Sequence, residues 1–136
     1  MDTAADPELN NQVGGELTAL RSVVREPMDH VECFPAPPSC KRVTFTTDEV
    51  TSMCPVTGQP DWSSVAITYE PDQHCVESKS LKLYLWSFRD KQIFAEALAA
   101  AIAAEIHRAA APHRTTVVVT QHVRGGIVTE ATAELP

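Results

Sequence analysis

The sequence predicts an α+β fold, a four-stranded antiparallel sheet with two helices on one face, in the order ββααββ. Three observations predict it. Segments that alternate at period two stand on both sides of a central block, that block carries two stretches of helical period, and glycine-containing turns separate the strands within each pair.

Residues 1–25 are polar and acidic and are expected to form a flexible leader, with residues 26–136 forming a single domain. The segment EPMDHVECFPAPPSC is proline-rich and is expected to run extended across the surface. In KRVTFTTDEV, Val43 and Phe45 share one face and Thr44 and Thr46 the other, the pattern of a half-buried strand. A second strand, SSVAITYEP, places Val65, Ile67 and Tyr69 on one side. About a dozen residues join the two, an elaborated loop between antiparallel partners.

VESKSLKLYLWSFRD predicts a helix of about three turns, with Leu81, Tyr84, Leu85 and Phe88 forming its buried face. At 100° per residue, Lys79, Lys82 and Arg89 fall within a neighbouring arc of roughly 80°. Such a stripe is either a solvated flank or a grip for phosphates. FAEALAAAIAAEIHRAAA has high helix propensity and small side chains that permit close packing, and Pro112 ends it. RTTVVVTQHV and GIVTEATAEL are the last two strands, joined through Arg124-Gly125-Gly126, a tight-turn signal. A sheet of this kind has two free edges, so an oligomeric barrel that removes them is expected.

At 136 residues the chain is long enough for one core without metal or disulfide staples. Its formal charge of −7 argues against a nucleic-acid partner, because phosphate contacts need clustered Lys and Arg. The acidic start has no apolar run and no segment approaches the ~20 apolar residues of a membrane span, so no membrane association and a cytoplasmic location are expected. Cys33, Cys40, Cys54 and Cys75 form no CxxC pair and accompany no zinc-finger histidine spacing, so no metal is expected.

The stretch SMCPVTGQPDW holds Cys54 and Asp61 at the two ends of a turn stiffened by Gly and Pro. It is either a plain strand connection or a nucleophile and an acid/base facing one cavity. Glu77 and Glu96 open the two helices, where a carboxylate suits the helix dipole or accepts paired N–H groups of a heterocycle. Phe94 is expected in the core, or else stacked on such a ring.

Together, CPVTGQPDW, VESKSLKLYLWSF, FAE and RGG resemble the short, single-domain 7-cyano-7-deazaguanine reductases, the QueF nitrile reductase family, over about Pro27 to Ile127. The resemblance implies the tunnelling fold, whose subunits form barrels, and stacked pentamers in the short form. It implies that Cys54 attacks the nitrile carbon of a deazapurine to give a thioimidate while Asp61 protonates the nitrogen, and that NADPH then reduces the adduct twice. Val76, Glu77, Ser78, Phe94, Ala95 and Glu96 are implied to line the substrate site, with Glu96 anchoring the ring. Lys79, Lys82, Arg89 and Arg124 are implied to meet the NADPH phosphates.

One position departs from the family. Histidine is usual between the Phe and Glu of FAE, where this chain has Ala95. The resemblance therefore implies slowed proton relay without loss of covalent capture. His107 lies roughly 16 Å away along the same helix and cannot substitute within one subunit; His74 is nearer in sequence to the substrate-lining segment. Two other readings remain open, an amidine-forming enzyme of the same chemistry and a purine-binding module without turnover.

Overall fold

The computed structural model describes residues 26–136, and the leader expected over residues 1–25 lies outside them. The elements in order are β1 (Cys33–Pro35), β2 (Val43–Met53), β3 (Pro60–Glu70), β4 (His74–Val76), α1 (Ser78–Trp86), α2 (Ala95–Ala110), β5 (Arg114–Arg124) and β6 (Ile127–Leu135). The long strands form one antiparallel sheet in the order β2-β3-β5-β6, which leaves β2 and β6 as its edges. The expected ββααββ core is present.

Val65, Ile67 and Tyr69 on β3 and Val117 and Val119 on β5 project from the same side of the sheet and are buried. They meet the apolar stripe of α2, where Leu98, Ile102 and Ile106 recur every fourth residue among alanines that let the helix lie close. Tyr84 of α1 donates its hydroxyl to the Ala101 carbonyl at 3.3 Å, which ties the two helices together. Ala111 closes α2 in the left-handed conformation (φ 45°) immediately before Pro112.

Three expectations need correction. The proline-rich segment is more than a surface strap: β1 pairs with β4 in a second, two-stranded sheet, and Val31 is buried in the core. Three-residue strands are too short for any periodic signal. The connection between the first two long strands is also shorter than a dozen residues, because β2 and β3 extend to the turn and leave only residues 54–59 between them. Finally, α1 ends at Trp86. Successive i→i+3 bonds carry the chain onward, from Phe88 N–H to the Leu85 carbonyl and from Arg89 N–H to that of Trp86. Phe88 still reaches the core and meets Tyr84 edge to face at 5.3 Å, but Arg89 leaves the helical stripe that would have aligned it with Lys79 and Lys82.

Two β-bulges set which side chains face the helices. In β2, Thr47 lies opposite Val65 and Val50 opposite Ser63, so Asp48 and Glu49 together oppose a single residue. Before the bulge the odd positions Val43 and Phe45 turn inward; after it, Val50 and Ser52 are the buried ones. In β5, Gln121 lies opposite Thr129 and Arg124 opposite Ile127, again one residue too many. Gly125 and Gly126, both at positive φ (56° and 80°), then close the hairpin in the geometry that non-glycine residues resist.

Candidate active site

The altered parity of β2 and β5 brings Cys54 and Arg124 to the end of the sheet where the unbulged β3 places Asp61 on the buried side. Ser52 pairs with Asp61 and Met53 with Pro60, and a two-way clasp then closes the turn. The Cys54 N–H donates to the Gln59 carbonyl and the Gly58 N–H to the Cys54 carbonyl, each at 2.8 Å. Gly58 sits at φ 70°, a conformation an L side chain resists.

This tight turn acts on the sulfur. The Thr57 hydroxyl, the Thr57 and Val56 amides and the positive charge of Arg124 lower the Cys54 thiol from 9.0 to about 7. The Thr57 hydroxyl is itself oriented, because it accepts the Gln59 N–H at 3.2 Å. Burial pushes Cys33 the other way, up to about 11, and also raises Cys75. Burial thus disfavours the thiolate at Cys33 and Cys75, whereas Cys54 is shifted toward thiolate and is partly exposed, the combination a nucleophile needs. Alkylation of Cys54 by iodoacetamide is therefore expected to rise tenfold per pH unit below about 7 and to level off above it. A midpoint near 9 in rate measurements with peptide mapping would show that the turn does not activate the sulfur.

Asp61 is buried (4% exposed) and forms an ion pair with the Arg124 guanidinium, which also donates to the Gln59 side chain at 3.3 Å. Arg124, expected among cofactor phosphates, is seated at the Cys54 turn. Its pairing with Asp61 is invisible in the sequence because the two residues are 63 positions apart and a bulge aims one of them.

A second segment is fastened to the same turn. The Met53 N–H donates to the Lys91 carbonyl at 2.8 Å, and the Ile93 N–H donates to the Met53 carbonyl at 3.1 Å. This bridge ties the segment leading into Phe94, Ala95 and Glu96, at the start of α2, to the residue that precedes Cys54. Phe94 is 54% exposed at the N-cap, so the expected core placement is wrong and its ring is open to stack on a ligand. Ala95 is buried, and Glu96 stands exposed in the first turn.

Val76, Glu77 and Ser78 lie elsewhere. The Glu77 N–H donates to the Glu32 carbonyl, and the adjacent Val31 N–H donates to Glu105 on α2. Glu105 is ten residues beyond Ala95, roughly 15 Å along the helix. Within one chain the two groups of substrate-lining candidates are therefore apart. The Glu77 carboxylate caps α1, accepting the Lys79 and Ser80 amides at 2.6 and 2.8 Å. Ser78 and Lys82 line a groove of about 460 Å³ between α1 and β2, with half-exposed Trp86 on its wall. Among the described residues, no cluster of three His, Cys, Asp or Glu side chains could hold a metal, and no helix is long and apolar enough to cross a membrane.

Residues 60–135 match the family model described as QueF-like protein. The chain is 42% identical to the NADPH-dependent 7-cyano-7-deazaguanine reductase of Alkalilimnicola ehrlichii, over 80% of this chain and 86% of the relative. It is 43% identical to the protein of the same name from Thermomicrobium roseum, over 73% and 77% of the two chains. Among solved structures it is similar to the archaeosine synthase QueF-Like in its apo form, with a TM-score of 0.67 and 25% identity, over 74% of this chain and 99% of that one.

Proposed function

This chain belongs to the QueF-like family, and from that premise we propose that it is an oxidoreductase that uses NADPH to convert the nitrile of 7-cyano-7-deazaguanine into an aminomethyl group, in queuosine or related deazapurine biosynthesis. The observation that carries the reading is a thiol lowered to about 7, at the mouth of a hairpin whose other end holds a buried aspartate.

A nitrile is a poor hydride acceptor. Addition of the Cys54 sulfur to its carbon, with one proton delivered to nitrogen, makes a thioimidate whose carbon is far more electrophilic. Holding sulfur and acid on one rigid turn makes the addition effectively intramolecular. NADPH supplies hydride when bound, in two equivalents, because a nitrile becomes an amine by taking up four electrons. Lys79 and Lys82, on successive turns of α1, are the proposed cationic contacts for its phosphates, and Arg89, outside that stripe, would meet them only from the loop after the helix. The groove beside α1 fits such a ligand, since it offers the Lys82 ammonium, the Ser78 hydroxyl and the Trp86 ring together. Phe94 and Glu96 stack on and anchor the deazapurine beside Cys54.

The separation of Val76, Glu77 and Ser78 from Cys54 is the reason to propose that a second copy completes each site. β2 and β6 leave edges that such a copy would cover, and stacked pentameric rings of tunnelling-fold subunits meet the requirement. A cytoplasmic location keeps the Cys54 thiol reduced.

Intact-mass measurement with the nitrile, together with nicotinamide absorbance, tests the reading. An adduct at Cys54 and consumption of two NADPH per nitrile are expected. An adduct that consumes an amine and no NADPH would favour the amidine-forming alternative, and no adduct would leave only a binding module. Ala95→His adds a further test. Its Cβ belongs to the core, so the larger ring is expected to cost about 1–3 kcal/mol of stability in denaturant titration. Single-turnover reduction of the preformed adduct is expected to accelerate; an unchanged rate would mean that the absent imidazole does not limit turnover.

A further inference from the structure

We propose that Arg124 is a positioning residue of the covalent step: it holds Asp61 as the carboxylate that receives the Cys54 thiol proton and passes it to the nitrile nitrogen. The inference rests on the function proposed above.

The geometry is specific. Asp61 is almost wholly enclosed and is paired with the Arg124 guanidinium, which is one-third exposed and also donates to Gln59. Gln59 in turn accepts the Cys54 N–H through its backbone carbonyl. A single guanidinium thus braces both the carboxylate and the turn that carries the sulfur. The β5 bulge exists at the position where it turns Arg124 toward Asp61. Two of the five guanidinium N–H donors are committed to Asp61 and Gln59, which fixes the arginine against the turn.

The proton inventory follows. The Asp61 carboxylate is held in an ion pair with Arg124, so in the proposed step the proton needed by the nitrile nitrogen comes from the thiol. Cys54, close to half protonated at neutral pH, carries one. The S–H bond breaks and the proton moves to Asp61; the S–C bond forms; one C≡N π pair takes the proton from Asp61 as N–H. The sum is addition of S–H across the nitrile, with no oxidant or reductant needed.

The other titratable groups on the segments joined to the turn are Asp90 and Lys91 in the loop before α2, Glu96 in the first turn of α2, and His122 on β5. The Lys91 ammonium lies over the Phe88 ring at 4.7 Å. His122 shares a shallow pocket of about 220 Å³ with Asp61 and Arg124 and is exposed.

Three readouts on the full-length protein test the proposal. In wild type, the nitrile without NADPH should form the adduct; if it does not, the proposed function itself fails, whatever Arg124 does. Arg124→Met should slow adduct formation about 100-fold, the scale of a lost acid/base contribution. It should also raise the pH midpoint of Cys54 alkylation and leave the KM for NADPH unchanged, while Arg124→Lys restores part of both losses. Asp61→Asn should move the alkylation midpoint down, because Arg124 then faces the sulfur without its counter-charge. His122→Gln should leave the midpoint in place. The proposal is overturned if Arg124→Met raises the NADPH KM with capture and midpoint intact. It is equally overturned if Asp61→Asn and Arg124→Met shift the midpoint the same way, or if His122→Gln reproduces the Arg124→Met shift.

Discussion

Cys54→Ala is expected to abolish both the covalent adduct and nitrile-dependent NADPH oxidation, the largest loss of activity any single substitution in this chain should produce. The turn around residue 54 is held through main-chain atoms, the Cys54 N–H to Gln59 and the Cys54 carbonyl to Gly58, so it survives loss of the sulfur. The side chain is only partly buried, and the thermal midpoint should therefore change little. That combination separates a chemical role from a structural one. Without the sulfur, hydride would have to attack an unactivated nitrile, and alignment in the pocket cannot replace the missing electrophile. Reduction at a wild-type rate in Cys54→Ala, measured by absorbance with product identified by mass, would end the covalent reading.

The second large effect is on stability. Ile102→Ala is expected to lower unfolding free energy by about 2–5 kcal/mol, the range for deleting a large aliphatic side chain from a core that relaxes only partly. Ile102 has 0% exposure and lies in the stripe by which α2 packs on the sheet. Domains of this size are typically stable by about 5–15 kcal/mol, so the loss is a large fraction of the total. The same helix begins with the Phe94–Glu96 segment, so loosening its seat should also weaken ligand binding before the protein unfolds. A urea midpoint within a few tenths molar of wild type would contradict the packing described.

The helix-and-strand skeleton was legible because its signals are local. Val65, Ile67 and Tyr69 alternate, Leu98, Ile102 and Ile106 recur every four residues, and the Gly125-Gly126 turn announces itself. Cys54 stood out in the sequence through the Gly/Pro turn that separates it from Asp61, whereas the Val56 and Thr57 groups that lower its thiol, though within three residues, carry no sequence signal of their own. What escaped depends on contacts distant in sequence. The β1–β4 pairing joins segments about forty residues apart and is too short to carry a pattern. Phe94 looks like a core residue by composition, and only the bridge from Met53 to Gln92 reveals that it is held at the rim. Arg124 belongs to a turn by sequence and to an aspartate by topology.

Side chains on a strand alternate sides with each residue, so the extra positions at Asp48–Glu49 and His122–Val123 behave like a pair of geometric frameshifts. Removing one residue from either stretch would leave the hydrophobic lettering upstream intact and still invert everything downstream. The sulfur, or its guanidinium companion, would then point into the opposite chamber. Length at these two places is therefore guarded by chemistry, although nothing in the identities of the inserted residues announces it.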